Sequence, residues 1–222
     1  MTQTRVWFGQ FAPTAFDKPG LRDKYPGQPW EKPYVYHMVP VYGGAIEGVT
    51  ERYGAGILVP GHELVEASAV YDAKCFARQK HVVRTGGVYI VDEPLAELLS
   101  QFDVGPGGIF SYPIFEADET TLFSEKWFML GLGAQKNTLR GDLSRNVTLL
   151  FDGQGERNNL YSVPYPPNDD DYVYSKGALE GADLWREPQL RHSFGFSNRL
   201  GCALIEEGYG ELFGLKSARI AG

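Results

Sequence analysis

The period of apolar positions changes several times along the chain, and the clearest stretch begins at Gly87. Residues 88–91 (VYIV) are β-branched and aromatic and predict a strand. Asp92 follows where a helix N-cap belongs, and Pro94 falls in the first turn, where no intrahelical donor is needed. Leu95, Leu98, Leu99 and Phe102 then recur at i, i+3, i+4 and i+7, one face of a helix. The run GPGG at 105–108 ends it, and residues 109–116 (IFSYPIFE) predict another strand.

The same grammar returns downstream. Residues 193–196 (SFGF) predict a strand, Ser197 the cap, and Leu200, Ala203 and Leu204 the buried helix face. Glu207-Gly208 ends the helix, and residues 212–215 predict a strand. A shift of 105 residues lays Tyr89 on Phe194, Val91 on Phe196, Asp92 on Ser197, Leu95 on Leu200 and Leu99 on Leu204. The chain therefore reads as carrying two related strand–helix–strand units, at 88–116 and 193–216.

Elsewhere the pattern is plainer. Strands are predicted at 5–9, 57–59, 127–132, 147–151 and 172–174, and another at 34–42 (YVYHMVPVY), placed at an edge or a bulge by Pro40, which cannot donate to a ladder. Val65, Ala69, Ala73 and Phe76 fall near one face and predict a helix over 63–80. Residues 13–33 and 153–171 read as long proline-containing loops. The expectation is one globular domain over 1–222, α+β in class, with mixed, mostly antiparallel sheets and a few helices.

Composition adds constraints to this outline. The 27 glycines and 14 prolines exceed average usage but follow no period, so they mark loops rather than a fibrous repeat. Hydrophobic residues make up 43% and charged residues 22%, an ordinary globular balance. The formal net charge of −7 disfavours a nucleic-acid backbone as partner and favours a basic one. The first residues lack a basic region followed by an apolar one, and no stretch approaches the length of a membrane helix. Cys75 and Cys202 form no CxxC pair and read as buried, reduced thiols. The expected compartment is the cytoplasm.

Most chemical motifs fail their physical requirement. GFSNR at 195–199 has the outline of a nucleophile elbow, but Arg199 stands where a small residue must let helix and strand approach. Ser197 reads better as a cap. His62-Glu63 begins an H-E-x-x-H pattern whose last position is Glu66, so zinc lacks its second imidazole. The glycine runs 105–108 and 131–133 lack the third fingerprint glycine and lead into no Lys-Ser/Thr, so they read as turns rather than phosphate loops. No cofactor or metal is expected.

Asp169, Asp170 and Asp171 stand in a row among Tyr161, Tyr165, Tyr172 and Tyr174. Tyrosine offers large contact area with few rotors to freeze, and carboxylates attract a basic surface. Asp169, Asp170, Asp171, Tyr165 and Tyr172 are therefore candidate partner contacts. Trp30 and Tyr34 are further candidates beside the proline-rich loop.

Residues 181–220 (GADLWREPQLRHSFGFSNRLGCALIEEGYGELFGLKSARI) resemble the C-terminal signature of the immunity protein 11 family. The resemblance rests on the aromatic–Arg pair Trp185-Arg186, the strand Phe194 to Phe196, the cap Ser197, the helix residues Leu200 and Leu204, and the Gly-led final strand Gly210 to Leu215. The unit at 88–115 looks like the same family's internal strand–helix unit. The resemblance implies a cytoplasmic immunity protein that binds a cognate toxin or effector of a polymorphic toxin system and occludes its active site, with no catalytic residues of its own. The alternative is a small hydrolase or glycan-active enzyme, for which paired carboxylates and exposed aromatics supply the chemistry. A scaffold domain without a ligand is the third class.

Overall fold

The computed structural model describes residues 5–10, 20–31, 45–153, 159–163, 167–190 and 193–222. The chain forms two compact units. The first comprises residues 1–12, 102–105 and 134–222, and the second comprises 13–101 and 106–133.

The first unit opens with β1 (Arg5–Gly9). The second contributes β2 (Leu21–Lys24), α1 (Ala45–Ala55), β3 (Ala67–Val70), α2 (Ala73–Phe76), β4 (Val82–Thr85) and β5 (Val88–Asp92). It continues with α3 (Glu93–Leu99), β6 (Ile109–Tyr112), β7 (Ile114–Phe115) and β8 (Trp127–Leu130). The first unit resumes with β9 (Thr148–Phe151), β10 (Leu160–Ser162), β11 (Val173–Tyr174), β12 (Leu184–Arg186), β13 (Phe194–Ser197), α4 (Asn198–Glu206) and β14 (Lys216–Ile220). The class is α+β with mostly antiparallel sheets, as the sequence predicts.

Each unit is built around one larger sheet, and the two sheets share an order. In the second unit it is β4-β5-β8-β6, every neighbour antiparallel. In the first it is β12-β13-β1-β14, again antiparallel throughout, with β11 added in parallel beyond β14. In both, a helix links two strands that lie on either side of a third: α3 joins β5 to β6 across β8, and α4 joins β13 to β14 across β1. Asp92 pairs with Trp127 as Ser197 pairs with Val6, the offset of 105 residues. Ser111 pairs with Phe128 as Ser217 pairs with Trp7, an offset of 106.

The caps behave alike. The Asp92 carboxylate accepts from the Leu95 amide at 3.2 Å, and the Ser197 hydroxyl from the Leu200 amide at 3.3 Å. Leu95 and Leu99, and likewise Leu200 and Leu204, are fully buried. The core of the first unit gathers Val6, Phe8, Tyr172, Tyr174, Trp185 and Ala218.

Several predicted elements differ. The helix expected over 63–80 is instead β3 and the short α2. All four residues of β3 are buried, so the strand shows no alternation and its apolar spacing mimics a helical face. The 13–33 loop contains β2, whose Asp23 is buried despite its charge. The 153–171 loop contains β10. The strand expected at 109–116 divides at Pro113 into β6 and β7, which belong to different sheets. Residues 57–59 form no strand, and residues 212–214 lie in a turn, followed by Leu215 and then β14. The helix α1 had no counterpart in the sequence reading, and the predicted strand at 34–42 lies outside the described residues.

Candidate functional site

The acidic run at 169–171 is bonded largely into its own unit. Asp169 is exposed, yet its carboxylate accepts from the Ser217 amide at 2.7 Å. Asp170, at a φ of 60°, accepts from the Ser217 hydroxyl at 3.0 Å and stands 3.8 Å from the Arg5 guanidinium. Asp171 is buried and accepts from the side-chain amides of Asn146 at 2.8 Å and Asn168 at 3.0 Å. The Asn146 bond outweighs burial, and with Asn168 and Arg145 it holds the Asp171 pKa below its ordinary value. Tyr172 is fully buried, its ring 4.4 Å from that of Phe8. Of this group, Asp171 and Tyr172 face inward and hold the loop to its sheet, while Asp169 and Asp170 remain at the surface. Trp30 is half-buried, edge-on to Phe115 at 5.7 Å, and the Lys24 ammonium lies 5.7 Å from its ring. Tyr34 and Tyr165 lie outside the described residues.

A second feature escaped the sequence reading. The second unit contains a cavity of about 690 Å³ lined chiefly by apolar side chains, among them Leu58, Val59, Leu64, Phe110, Met129 and Leu132. Leu58 is 51% exposed and Phe110 is 56% exposed, so both present apolar surface to solvent. Tyr53 and Tyr112 also line it. The Tyr53 hydroxyl donates to the Leu130 carbonyl at 2.5 Å and accepts from the Tyr89 amide at 3.0 Å. The Tyr112 hydroxyl lies 2.8 Å from that of Ser68. The phenol oxygens are thus engaged away from a ligand.

The two glycine runs set aside as phosphate loops meet at this cavity. The Gly131 amide donates to the Gly108 carbonyl at 2.8 Å. A Cβ on Gly107 would overlap the Gly131 carbonyl, and one on Gly131 would overlap the Gly107 carbonyl. The glycines permit backbone-to-backbone contact, which only residues without a side chain allow. The signal lay in their positions, one run just before β6 and the other just after β8, the two strands that pair.

The buried carboxylates have scaffold partners. Asp23 accepts from Thr85 at 2.5 Å and from Ser68 at 2.7 Å, and burial pushes its pKa up. Glu187 accepts from the amides of Thr138 at 2.9 Å and Leu139 at 3.0 Å; burial pushes its pKa up as well. Asp183 accepts from the Ser197 hydroxyl at 2.5 Å, the Asp103 amide at 2.9 Å, and the Arg199 guanidinium. Burial raises the Asp183 pKa, but Arg199 and Ser197 outweigh it and leave the pKa lowered. Ser197 therefore serves as a cap and as an Asp183 donor, and Arg199, the residue that spoils the elbow motif, completes that cluster. Among the described residues, no group of three or more His, Cys, Asp or Glu side chains is placed to hold a metal ion. Among the described residues, the carboxylate in the lining of the 690 Å³ cavity is Glu66, which is paired with Lys24 at 2.8 Å.

No family model, curated protein or solved structure matches the chain.

Proposed function

We propose that the chain is an immunity protein that neutralises a cognate toxin or effector by stoichiometric binding over its active site. One observation carries the reading: six of the large exposed apolar side chains fall into two groups. Ile57, Leu58 and Phe110 are each 45–56% exposed in the second unit, and Leu149, Leu150 and Phe151 are each 47–57% exposed along β9 in the first. Grouped exposed apolar surface is characteristic of a protein that binds another. The net charge of −7 favours a basic partner and steers its approach. The sequence resemblance at 181–220 supports the immunity role, and a cytoplasmic site of action follows from that role. Among the described residues no helix is long and apolar enough to cross a membrane.

The test is co-expression with the protein encoded beside it, followed by co-purification and a growth assay. The expected result is a stable complex of fixed stoichiometry and restored growth of cells that express the neighbour. Continued toxicity with no complex would remove the immunity reading.

A further inference from the structure

We infer that the cavity of the second unit is a socket for one aromatic or branched apolar side chain, presented by a protein partner whose surrounding surface is basic. The identity of that partner as a toxin rests on the immunity proposal; the socket itself rests on the geometry.

Three observations converge on it. The first is the lining. About 690 Å³ leaves ample room for one large side chain, since clefts of roughly 300–1,000 Å³ take a whole drug-sized ligand, and the walls are aliphatic, aromatic and thioether. Tyr53 and Tyr112 are buried with their hydroxyls engaged elsewhere, so they back the wall, and Leu58 and Phe110 are the apolar surface presented to an occupant. Met129 adapts its shape to an occupant. The crossed backbones at Gly107 and Gly131 fix the wall in advance, so little order remains to be imposed on binding.

The second is the repeat. Aligned through their strand pairings, Phe110 corresponds to Lys216, and Gly131 to Gln10. Lys216 and Gln10 line a smaller cavity of about 380 Å³ in the first unit. Both units thus open at the same place, beside the start of the strand after the helix and the end of its antiparallel neighbour. The first unit carries polar side chains there. In the second unit the two positions are an exposed phenylalanine and a glycine, so the place is apolar and larger.

The third is charge. The second unit has 15 Asp/Glu against 10 Lys/Arg, a net of −5, so most of the chain's −7 lies on the unit that contains the cavity. Glu66, in the lining, is exposed but paired with Lys24 at 2.8 Å, so the net charge of the unit, not this carboxylate alone, sets the preference. An apolar anchor ringed by lysine or arginine is attracted to such a surface, and one ringed by carboxylates is repelled.

The probes are three five-residue peptides with blocked ends: a central tryptophan between paired lysines, the same with central alanine, and tryptophan between paired glutamates. Binding is read from methyl NMR shifts of Leu58, Met129 and Leu132 in the full chain. The lysine-flanked tryptophan peptide is expected to shift these methyls saturably. Phe110→Ser or Leu58→Ser should weaken it roughly tenfold or more, the scale of burying one large apolar side chain. Leu122→Ser, which removes a comparably exposed residue outside the lining, should leave it unchanged, and thermal melts check that each variant is folded. Equal shifts with the alanine peptide, or none at these methyls, overturn the socket. Equal binding of the glutamate peptide overturns the basic partner, and equal binding of free indole reassigns the cavity to a small ligand. Growth rescue retained in Phe110→Ser and Leu58→Ser would overturn the socket while leaving the immunity reading in place. Peptide binding without any rescue would do the reverse.

Discussion

Two buried tyrosines show how differently one hydroxyl can act. The Tyr53 oxygen joins the Leu130 carbonyl to the Tyr89 amide, whereas the Tyr174 oxygen is buried with no partner among the described residues. Tyr53→Phe leaves two buried backbone groups short of a bond and should cost about 2 kcal/mol in urea unfolding. Tyr174→Phe removes an unpartnered polar atom and should be neutral or stabilising by up to about 1 kcal/mol. A loss at Tyr174 as large as that at Tyr53 would contradict the difference.

Lys136 offers a pH test with a definite sign. Its ammonium lies 3.8 Å from the Trp185 ring centre and donates to the Ala178 carbonyl at 3.1 Å. Burial pulls its pKa down to about 8, against the opposing pull of Asp183, Asp103 and Glu180. The folded state therefore releases the proton before the unfolded state does. The Lys136 contribution to stability is complete above the unfolded value of 10.5 and is lost as pH falls through about 8. Measured by urea unfolding at pH 7 and pH 10, the native chain should gain on Lys136→Met at the higher pH. A gain at the lower pH would contradict the assignment.

Among the helices, α3 and α4 were legible, whereas α1 was not read and the 63–80 helix was misread. For α3 and α4 a cap, a 3.6-residue apolar period and a glycine after the end all agree, and these signals are local. The β-strands were legible only where their environment is uniform along the chain. Asp23 in β2 is buried by Ser68 and Thr85, 45 and 62 residues away, so its burial has no local signature. β14 reads KSARI and looks polar, yet Ser217 and Ala218 are buried within its sheet. The candidate site was less legible still: Asp171 and Tyr172 read as contact residues but turn inward, and the cavity is formed by segments far apart in sequence. Gly201 illustrates an element-scale constraint. A Cβ there would overlap the Trp7 ring, against which α4 lies. Alanine would gain about 1 kcal/mol in helix propensity but lose about 2–3 kcal/mol to overpacking, so Gly201→Ala should destabilise by about 1–2 kcal/mol. In a Trp7→Leu background the same change should become neutral or favourable. Thermal and urea unfolding of the four proteins completes the cycle.

At the scale of the whole molecule, the repeat legible at offset 105 is larger than two strand–helix–strand units. Each unit has four corresponding strands in one order, but the chain supplies the third differently. In the second unit the middle strand, β8, follows β6. In the first, the equivalent strand, β1, precedes β12, β13 and β14 by more than 170 residues, yet Val6 pairs with Ser197. The strand order of the first unit is thus a permuted version of the second, and its pairing should survive a changed connectivity. Arg5 lies opposite Arg219, so the start of β1 is beside the end of β14, a separation that a short hairpin spans. A permuted chain that begins at residue 13 and carries residues 1–12 after residue 222 should form the same β13-β1-β14 ladder. The cost or gain should stay within about 1 kcal/mol, because loop-closure entropy varies only slowly with loop length. Deletion of residues 1–12 without replacement should instead leave β13 and β14 unpaired on facing edges and abolish the first unit's cooperative unfolding, while β4-β5-β8-β6, which contains its own middle strand, keeps its protected amides. Hydrogen exchange followed by NMR on the native, permuted and deleted chains distinguishes these outcomes. Loss of the Phe196 and Ala218 amide protection in the permuted chain would show that the order of β1 in the chain matters to the fold as much as its place in the sheet.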